Sequence, residues 1–180
     1  ALDDMTRDDG WRFLMLGRRI ERLQFLADSL AVFLRGAAVR DQAALEWMLE
    51  LGNSIITYRS RYLAAPQLIA VLDLLLLDSQ NPHSLAFQLV ELERSLALLD
   101  ERFAVPHDNP LQALSVQLKA VDLGSLDEQA LFGDVGVRAV LVGLADLLQA
   151  ISAGAGQLSD RLALRHFAHV DDVSQQTLSS

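Results

Sequence analysis

The chain has no cysteine among its 180 residues, which excludes disulfides and thiolate metal sites. Basic residues are also scarce: 15 Lys and Arg stand against 24 Asp and Glu, a formal charge of −9. That deficit works against nucleic acid, whose phosphates need a basic face, and against docking on anionic membranes. No apolar run is long enough to suggest a bilayer span; the richest, Leu68 to Leu77, is short and interrupted by Asp73. The start, Ala1-Leu2-Asp3-Asp4, is acidic and has no basic segment ahead of an apolar one, so no signal peptide is expected. The expected compartment is the cytoplasm. The first residue is Ala rather than Met, which suggests a piece of a longer chain or a processed one.

Catalytic signatures are missing too. No glycine-rich stretch ends in Gly-Lys-Ser or Gly-Lys-Thr to cradle phosphate, and no Gly-x-Ser-x-Gly elbow occurs. Nothing amounts to a nucleophile, a base and an orienting group, so no catalytic residue is assigned and activity by the chain alone is not expected. His166 and His169 are three apart but lack a further ligand, and His83 and His107 are isolated, so no metal site is assigned.

What is present is apolar and helical. Apolar residues make up 51% of the chain, ample for one core. No run alternates with period two for long, and Gly and Pro fall between segments of helical period. The pattern predicts one all-α domain over residues 1–180, a single bundle of about six helices with a long N-terminal and a long C-terminal helix.

The first helix reads from about Arg7, capped by Thr6, to Arg35-Gly36. The second runs from Asp41 to about Tyr62, and the third from Pro66 to about Leu77. Asn81 as cap and Pro82 as first residue start the fourth, with Leu85, Leu89, Leu92, Leu96 and Leu99 on one stripe. A loop over Phe103 to Asn109 and a fifth helix from Asn109-Pro110 to about Val121 follow. A turn around Ser125 to Leu131 leads to a last helix from about Val135 to His166, with a kink expected near Gly154-Gly156. The tail from Asp171 is expected to fray.

The first helix carries the most telling residues. Trp11, Leu14, Met15, Phe25, Val32 and Phe33 share one face, and Arg18 and Arg22 fall on it with Glu21 at its edge. The opposite face holds Leu16, Ile20, Leu23, Ala27 and Leu34, so the helix reads as apolar nearly all round and central to the bundle. Reading the first of these faces as inward makes Arg18 and Arg22 enclosed guanidiniums that need partners, since an unpaired one costs about 3–5 kcal/mol. Two readings follow. One is a buried ion-pair network closed by Asp73 or Asp78 from a neighbouring helix. The other is an anion pocket for carboxylate or phosphate, which the planar arginine fork suits. Arg59 extends either reading, since it too reads as inward, with Tyr58 and Tyr62 nearby and Arg61 turned outward. Asp78, Asn81 and Ser84 surround a helix start, where capping explains them and shared use with a ligand remains open.

The segments Met5-Thr6-Arg7-Asp8-Asp9-Gly10-Trp11 and Leu16-Gly17-Arg18-Arg19-Ile20-Glu21-Arg22 resemble the motif of the alpha-E family, a bacterial all-helical domain. Tyr58-Arg59-Ser60-Arg61-Tyr62 and Leu75-Leu76-Leu77-Asp78-Ser79-Gln80-Asn81-Pro82-His83-Ser84 resemble its two further signatures, in order. The resemblance is specific over about residues 5 to 90 and weak afterwards, apart from His166-Phe167-Ala168-His169. It implies that Gly10, Trp11, Gly17, Arg18, Glu21, Arg22, Tyr58, Arg59, Tyr62, Asp78, Pro82 and Ser84 are family positions. Arg19 departs from the aromatic common there. The resemblance also implies the second half of a two-part domain, with an N-terminal half missing. Its further implication is a partnership with an ATP-grasp ligase in amide or peptide ligation. ATP and magnesium would then belong to the ligase, and no cofactor to this chain. The implied role is an accessory domain that binds the ligase, or presents a peptide or amino-acid ligand with Arg18, Arg22 and Arg59 toward a carboxylate. The alternatives are a purely structural interaction module with its arginines paired internally and, less favoured for want of a nucleophile–base pair, an enzyme in its own right.

Overall fold

The computed structural model describes residues 2–103, 109–126 and 135–178. Over these residues the chain is all-α, with seven α-helices and no strand. They are α1 (Leu2–Arg35), α2 (Gln42–Leu51), α3 (Ile55–Arg61), α4 (Leu68–Leu72), α5 (Leu85–Phe103), α6 (Gln112–Lys119) and α7 (Val135–Leu178). Short 3₁₀ turns lie at Ala37–Arg40 and Leu123–Ser125. The parts of the expected loop and turn at residues 104–108 and 127–134 lie outside the described residues.

Two long helices form the frame. α1 has 34 residues and α7 has 44, and they run antiparallel. Arg35 at the end of α1 pairs with Asp146 and donates to Gln149 Oε1 at 2.7 Å. Gln24 Nε2 donates to the Ser152 carbonyl at 3.1 Å, and Gly10 to Gly17 lie beside Ser159 to Ala163. Among the described residues of α7 the buried apolar side chains are Val137, Leu141, Leu144, Ala145, Leu148, Ile151, Ala155, Leu158 and Leu162, a stripe of helical period. By length and composition Val135–Arg165, with mean hydropathy 1.6, is able to cross a bilayer, which the sequence reading did not find. Core helices pass the same test.

α1 is not enclosed all round as expected: it packs chiefly through the face opposite Arg18 and Arg22, although Phe33 is buried as well. Leu16, Ile20, Leu23, Ala27, Leu30, Ala31 and Leu34 are buried, while Trp11, Leu14, Phe25 and Val32 are 60, 49, 55 and 72% exposed. Arg18, Glu21 and Arg22 are exposed with them. The physical reason is a comparison of costs. Covering Phe25 or Val32 returns about 1.5–3 kcal/mol each, and enclosing an unpartnered guanidinium takes about 3–5 kcal/mol. The other face carries a single buried carboxylate, Asp9 near its start, and no guanidinium, and its alanines let α7 come close.

The second expected helix breaks in two at Gly52-Asn53-Ser54. Ser54 N donates to Leu49 O at 2.8 Å and Asn53 N to Glu50 O at 3.0 Å, a Schellman ending for α2. Asn53 takes the left-handed position with φ 49°, which asparagine tolerates better than most residues. Gly52 is buried, and a Cβ there would stand 2.5 Å from Leu75 Cδ2. α4 begins at Leu68 rather than Pro66 and passes into a π-helical turn at Asp73–Leu77, closed by Asp78 N to Asp73 O at 3.0 Å. The wider turn carries Leu74, Leu75 and Leu76 in succession, all fully buried.

Four more boundaries differ from expectation. α1 starts at Leu2 rather than near Arg7. α6 starts at Gln112, two residues past Pro110. α5 starts at Leu85, with Ser84 rather than Asn81 as its cap: Ser84 Oγ accepts from Phe87 N at 3.0 Å. α7 continues to Leu178, through the expected frayed tail, and is unbroken at Gly154 and Gly156. Those glycines serve packing instead of a kink. A Cβ on Gly154 would stand 2.9 Å from Leu111 Cδ2, and one on Gly156 3.1 Å from Gln24 Nε2. The α5 stripe is as expected, with Leu85, Leu89, Leu92, Leu96 and Leu99 all buried.

Gly52→Ala is expected to destabilise the fold by about 1–3 kcal/mol, since the fully buried Leu75 side chain must shift to admit the methyl group. Asn53→Gly should be neutral or slightly stabilising, and Asn53→Val should cost about 1–2 kcal/mol because a branched side chain resists positive φ. Urea unfolding midpoints of the three variants check the order.

Candidate functional site

The sequence-predicted residues fall into three places. Arg18 and Arg59 are exposed, and neither has an ion pair or hydrogen bond among the described residues. Arg59 was expected to face inward. The inward position of short α3 is taken by Tyr58, which is 2% exposed and whose hydroxyl accepts from Gln67 N at 3.1 Å. Tyr58 and Tyr62 stack with ring centroids 4.6 Å apart. This pair closes the turn between α3 and α4.

Asp78 and Ser84 belong to the loop between the π-helical turn and α5. Arg61, expected to be free in solvent, forms an ion pair with Asp78. Asp78 therefore closes no network with Arg18 or Arg22. Burial pushes its carboxyl up. The Arg61 guanidinium and the backbone N–H groups of Gln80 and Asn81 outweigh that and hold it below the usual carboxylate range. Ser84 Oγ donates to the Asp78 carbonyl at 2.6 Å while capping α5.

Asn81 is the loop's centre. It is buried, and its side-chain amide donates to the Leu74 carbonyl and to Ser54 Oγ, both at 3.0 Å. Leu74 sits where the helical ladder has ended, so its carbonyl needs an outside donor. Asn81 Oδ1 accepts from His83 N at 3.2 Å, and Gln88 Nε2 donates to the His83 carbonyl at 2.8 Å. His83 is thus held at both ends of its backbone.

The third place is a groove of about 590 Å³ lined by Glu21, Arg22, Phe25, Leu26, Leu51, Gly52, Asn53, His83 and Gln88. α1 supplies one wall, the Schellman turn of α2 the second, and the Asp78–Ser84 loop with the start of α5 the third. Phe25, Leu26 and Leu51 are its apolar lining, and Glu21, Arg22, Asn53, His83 and Gln88 its polar groups. Glu21 and Arg22 have no ion pair or hydrogen bond among the described residues. Their charges are unspent, and the volume lies within the range of small-molecule sites.

Sequence reasoning found Glu21 and Arg22 but missed Phe25, Asn53, His83 and Gln88 as their neighbours. Gly52-Asn53-Ser54 was the one legible signal, as a helix ending. Nothing in the pattern brings His83 to α1, because that meeting depends on the buried Asn81 contacts. Among the described residues no group of three His, Asp or Glu side chains is placed to hold a metal ion.

The Asp78 carboxyl generates a pH dependence. Its folded-state value lies below the unfolded one, so folding favours the ionised form. The contribution is complete above the ordinary carboxylate range near pH ~4 and is lost as pH falls through the folded value. Asp78→Asn should therefore be less stable than the parent at pH 6, and the difference should shrink toward pH 3. Denaturant midpoints at the two pH values measure it.

No solved structure matches the chain. Uncharacterized proteins of Mycobacterium bovis and Mycobacterium tuberculosis are 30% identical over 170 residues, covering 83% of this chain. The chain spans 18% of the length of those relatives, under a fifth. A family described as a predicted alpha-helical domain with a conserved ER motif matches residues 1–167. Three Glu-Arg dipeptides occur in the sequence: Glu21-Arg22, Glu93-Arg94 and Glu101-Arg102. Arg94 is spent on Glu91 at 2.8 Å, whereas Glu21-Arg22 lines the groove. With that match over most of its length, the chain belongs to the alpha-E family of helical domains.

Proposed function

We propose that this chain is a non-catalytic accessory domain that holds a carboxylate-bearing peptide or amino acid for an ATP-grasp amide ligase. The observation that carries the reading is Arg22, unpaired, on the wall of an open groove with an apolar lining. An arginine used for stability would have been answered by a carboxylate of the chain, and Asp78 is committed to Arg61. A carboxylate entering the groove would meet a planar fork with its donors free. The ligase setting rests on the family resemblance. There the ligase binds ATP and magnesium, and this domain supplies the carboxylate end of the ligand. Amide ligation needs such a group, since a carboxylate is what ATP activates.

A second reading is an interaction module. Trp11, Arg18, Phe25 and Val32 are seven residues apart along the outward face of α1, the spacing at which helices pair. Their exposure favours a partner helix on that face. Under this reading Trp11→Ser with Leu14→Ser abolishes association with the ligase, and Arg22→Leu leaves it intact.

Short peptides with a free C-terminal carboxylate are expected to bind more tightly than their C-terminal amides. Arg22→Leu should remove that preference, a loss of about tenfold or more, since a hydrogen bond to a charged group contributes about 1.5–3 kcal/mol. Unfolding stability should move by no more than about 0.5 kcal/mol, because the side chain is exposed. Isothermal titration alongside thermal melts checks both. Equal binding of acid and amide by the parent chain would overturn the reading.

A further inference from the structure

The groove presents two opposite charges, not one. Glu21 and Arg22 are consecutive on α1, so their side chains leave the helix about 100° apart. Both line the groove, and neither is paired with a described residue. Charged ends that diverge in this way do not converge on a single carbon bearing both ammonium and carboxylate. They suit two charges separated by one or two peptide bonds. The groove's volume of about 590 Å³ agrees, lying in the range that holds ligands larger than one amino acid.

The remaining lining fits the same ligand. Asn53 carries an amide, and Gln88 keeps its side-chain oxygen free while its nitrogen serves the His83 carbonyl. Side-chain amides complement a peptide bond, which offers one donor and one acceptor. Phe25, 55% exposed, and Leu51 supply apolar surface for a ligand side chain. The backbones of Asn53 and His83 and the Gln88 side chain are positioned by hydrogen bonds within the chain. Asn53 is set by the Schellman turn, and His83 is pinned through Asn81 and Gln88.

We propose that the Glu21–Arg22 groove binds a short zwitterionic peptide, a di- or tripeptide with both ends free and an apolar side chain. Glu21 takes the terminal ammonium, Arg22 takes the terminal carboxylate, and Asn53 and Gln88 meet the amide between them. This rests on the carboxylate reading above and extends it to the other end of the ligand. The same domain then recognises the class of molecule that amide ligation makes or lengthens.

The test uses the 180-residue chain with leucyl-leucine as probe, beside N-acetyl-leucyl-leucine, leucyl-leucine amide and free leucine. Binding is followed by titration calorimetry. Leucyl-leucine is expected to bind, and each end-blocked form to bind at least tenfold more weakly. Glu21→Gln should erase the discrimination against the acetylated form and keep that against the amide; Arg22→Leu should do the reverse. Free leucine should bind at least tenfold more weakly than the dipeptide. Acetylated and free dipeptide binding alike, with the amide still rejected, overturns the two-ended site and leaves the carboxylate reading standing. Free leucine matching the dipeptide also overturns it. Acid and amide binding alike, or no binding of any probe, overturns both.

Discussion

The packing of α1 against α7 decides everything else about this molecule's surface. α1 has two apolar faces on opposite sides, and only one can meet α7. The side that packs is built mainly from leucine, isoleucine and alanine, with Asp9 as its one buried charged residue. Ala27, Ala31 and Ala155 keep the helices close, and Gly156 admits the Gln24 side chain that reaches the Ser152 carbonyl. Once that side is committed, Arg18, Glu21 and Arg22 must point outward, together with Trp11, Leu14, Phe25 and Val32. The family's Glu-Arg dipeptide therefore contributes nothing to this chain's own core.

Much of the fold was legible from periodicity. The α5 stripe, the end of α1 at Arg35 and the two long terminal helices follow from apolar spacing and glycine placement. The choice between the faces of α1 was not legible by apolar count alone. Trp11, Phe25 and Val32 make the outer side read as apolar too, so hydrophobicity alone favoured a helix enclosed all round. What decides is desolvation of charge, about 3–5 kcal/mol for each unpartnered guanidinium. The same error carried Arg59 inward. Its neighbour Tyr58 is the residue whose removal from water is favourable, with its hydroxyl satisfied by Gln67.

The site was legible only as fragments. Asn81 reads as a helix cap, and the capping residue is Ser84. The sequence cannot distinguish these, because both are good caps three residues apart. What separates them is the π-helical turn, which leaves the Leu74 carbonyl in need of a donor that Asn81 supplies. That demand draws Asn81 inward, and its Oδ1 then fixes His83 at the groove. A residue that seemed to begin a helix instead joins three segments: the end of the π-helical turn, Ser54 behind the Schellman turn, and the loop before α5.

An exposed guanidinium is a weak holder of an anion in bulk water, where a surface pair contributes about 0–1 kcal/mol. The groove changes that balance in two ways. Phe25, Leu26 and Leu51 displace water from one side of any ligand, which strengthens the charge contacts on the other side. Asn53 and His83 are held by backbone geometry before the ligand enters, so less ordering is required on binding. Arg18, one turn earlier on the same outward side, lines neither this groove nor those beside Leu14 and Leu98. The difference between two arginines four residues apart is therefore environment rather than residue type. It is the reason to place ligand recognition at Arg22 and to leave Arg18 to a partner helix that covers the outer face of α1.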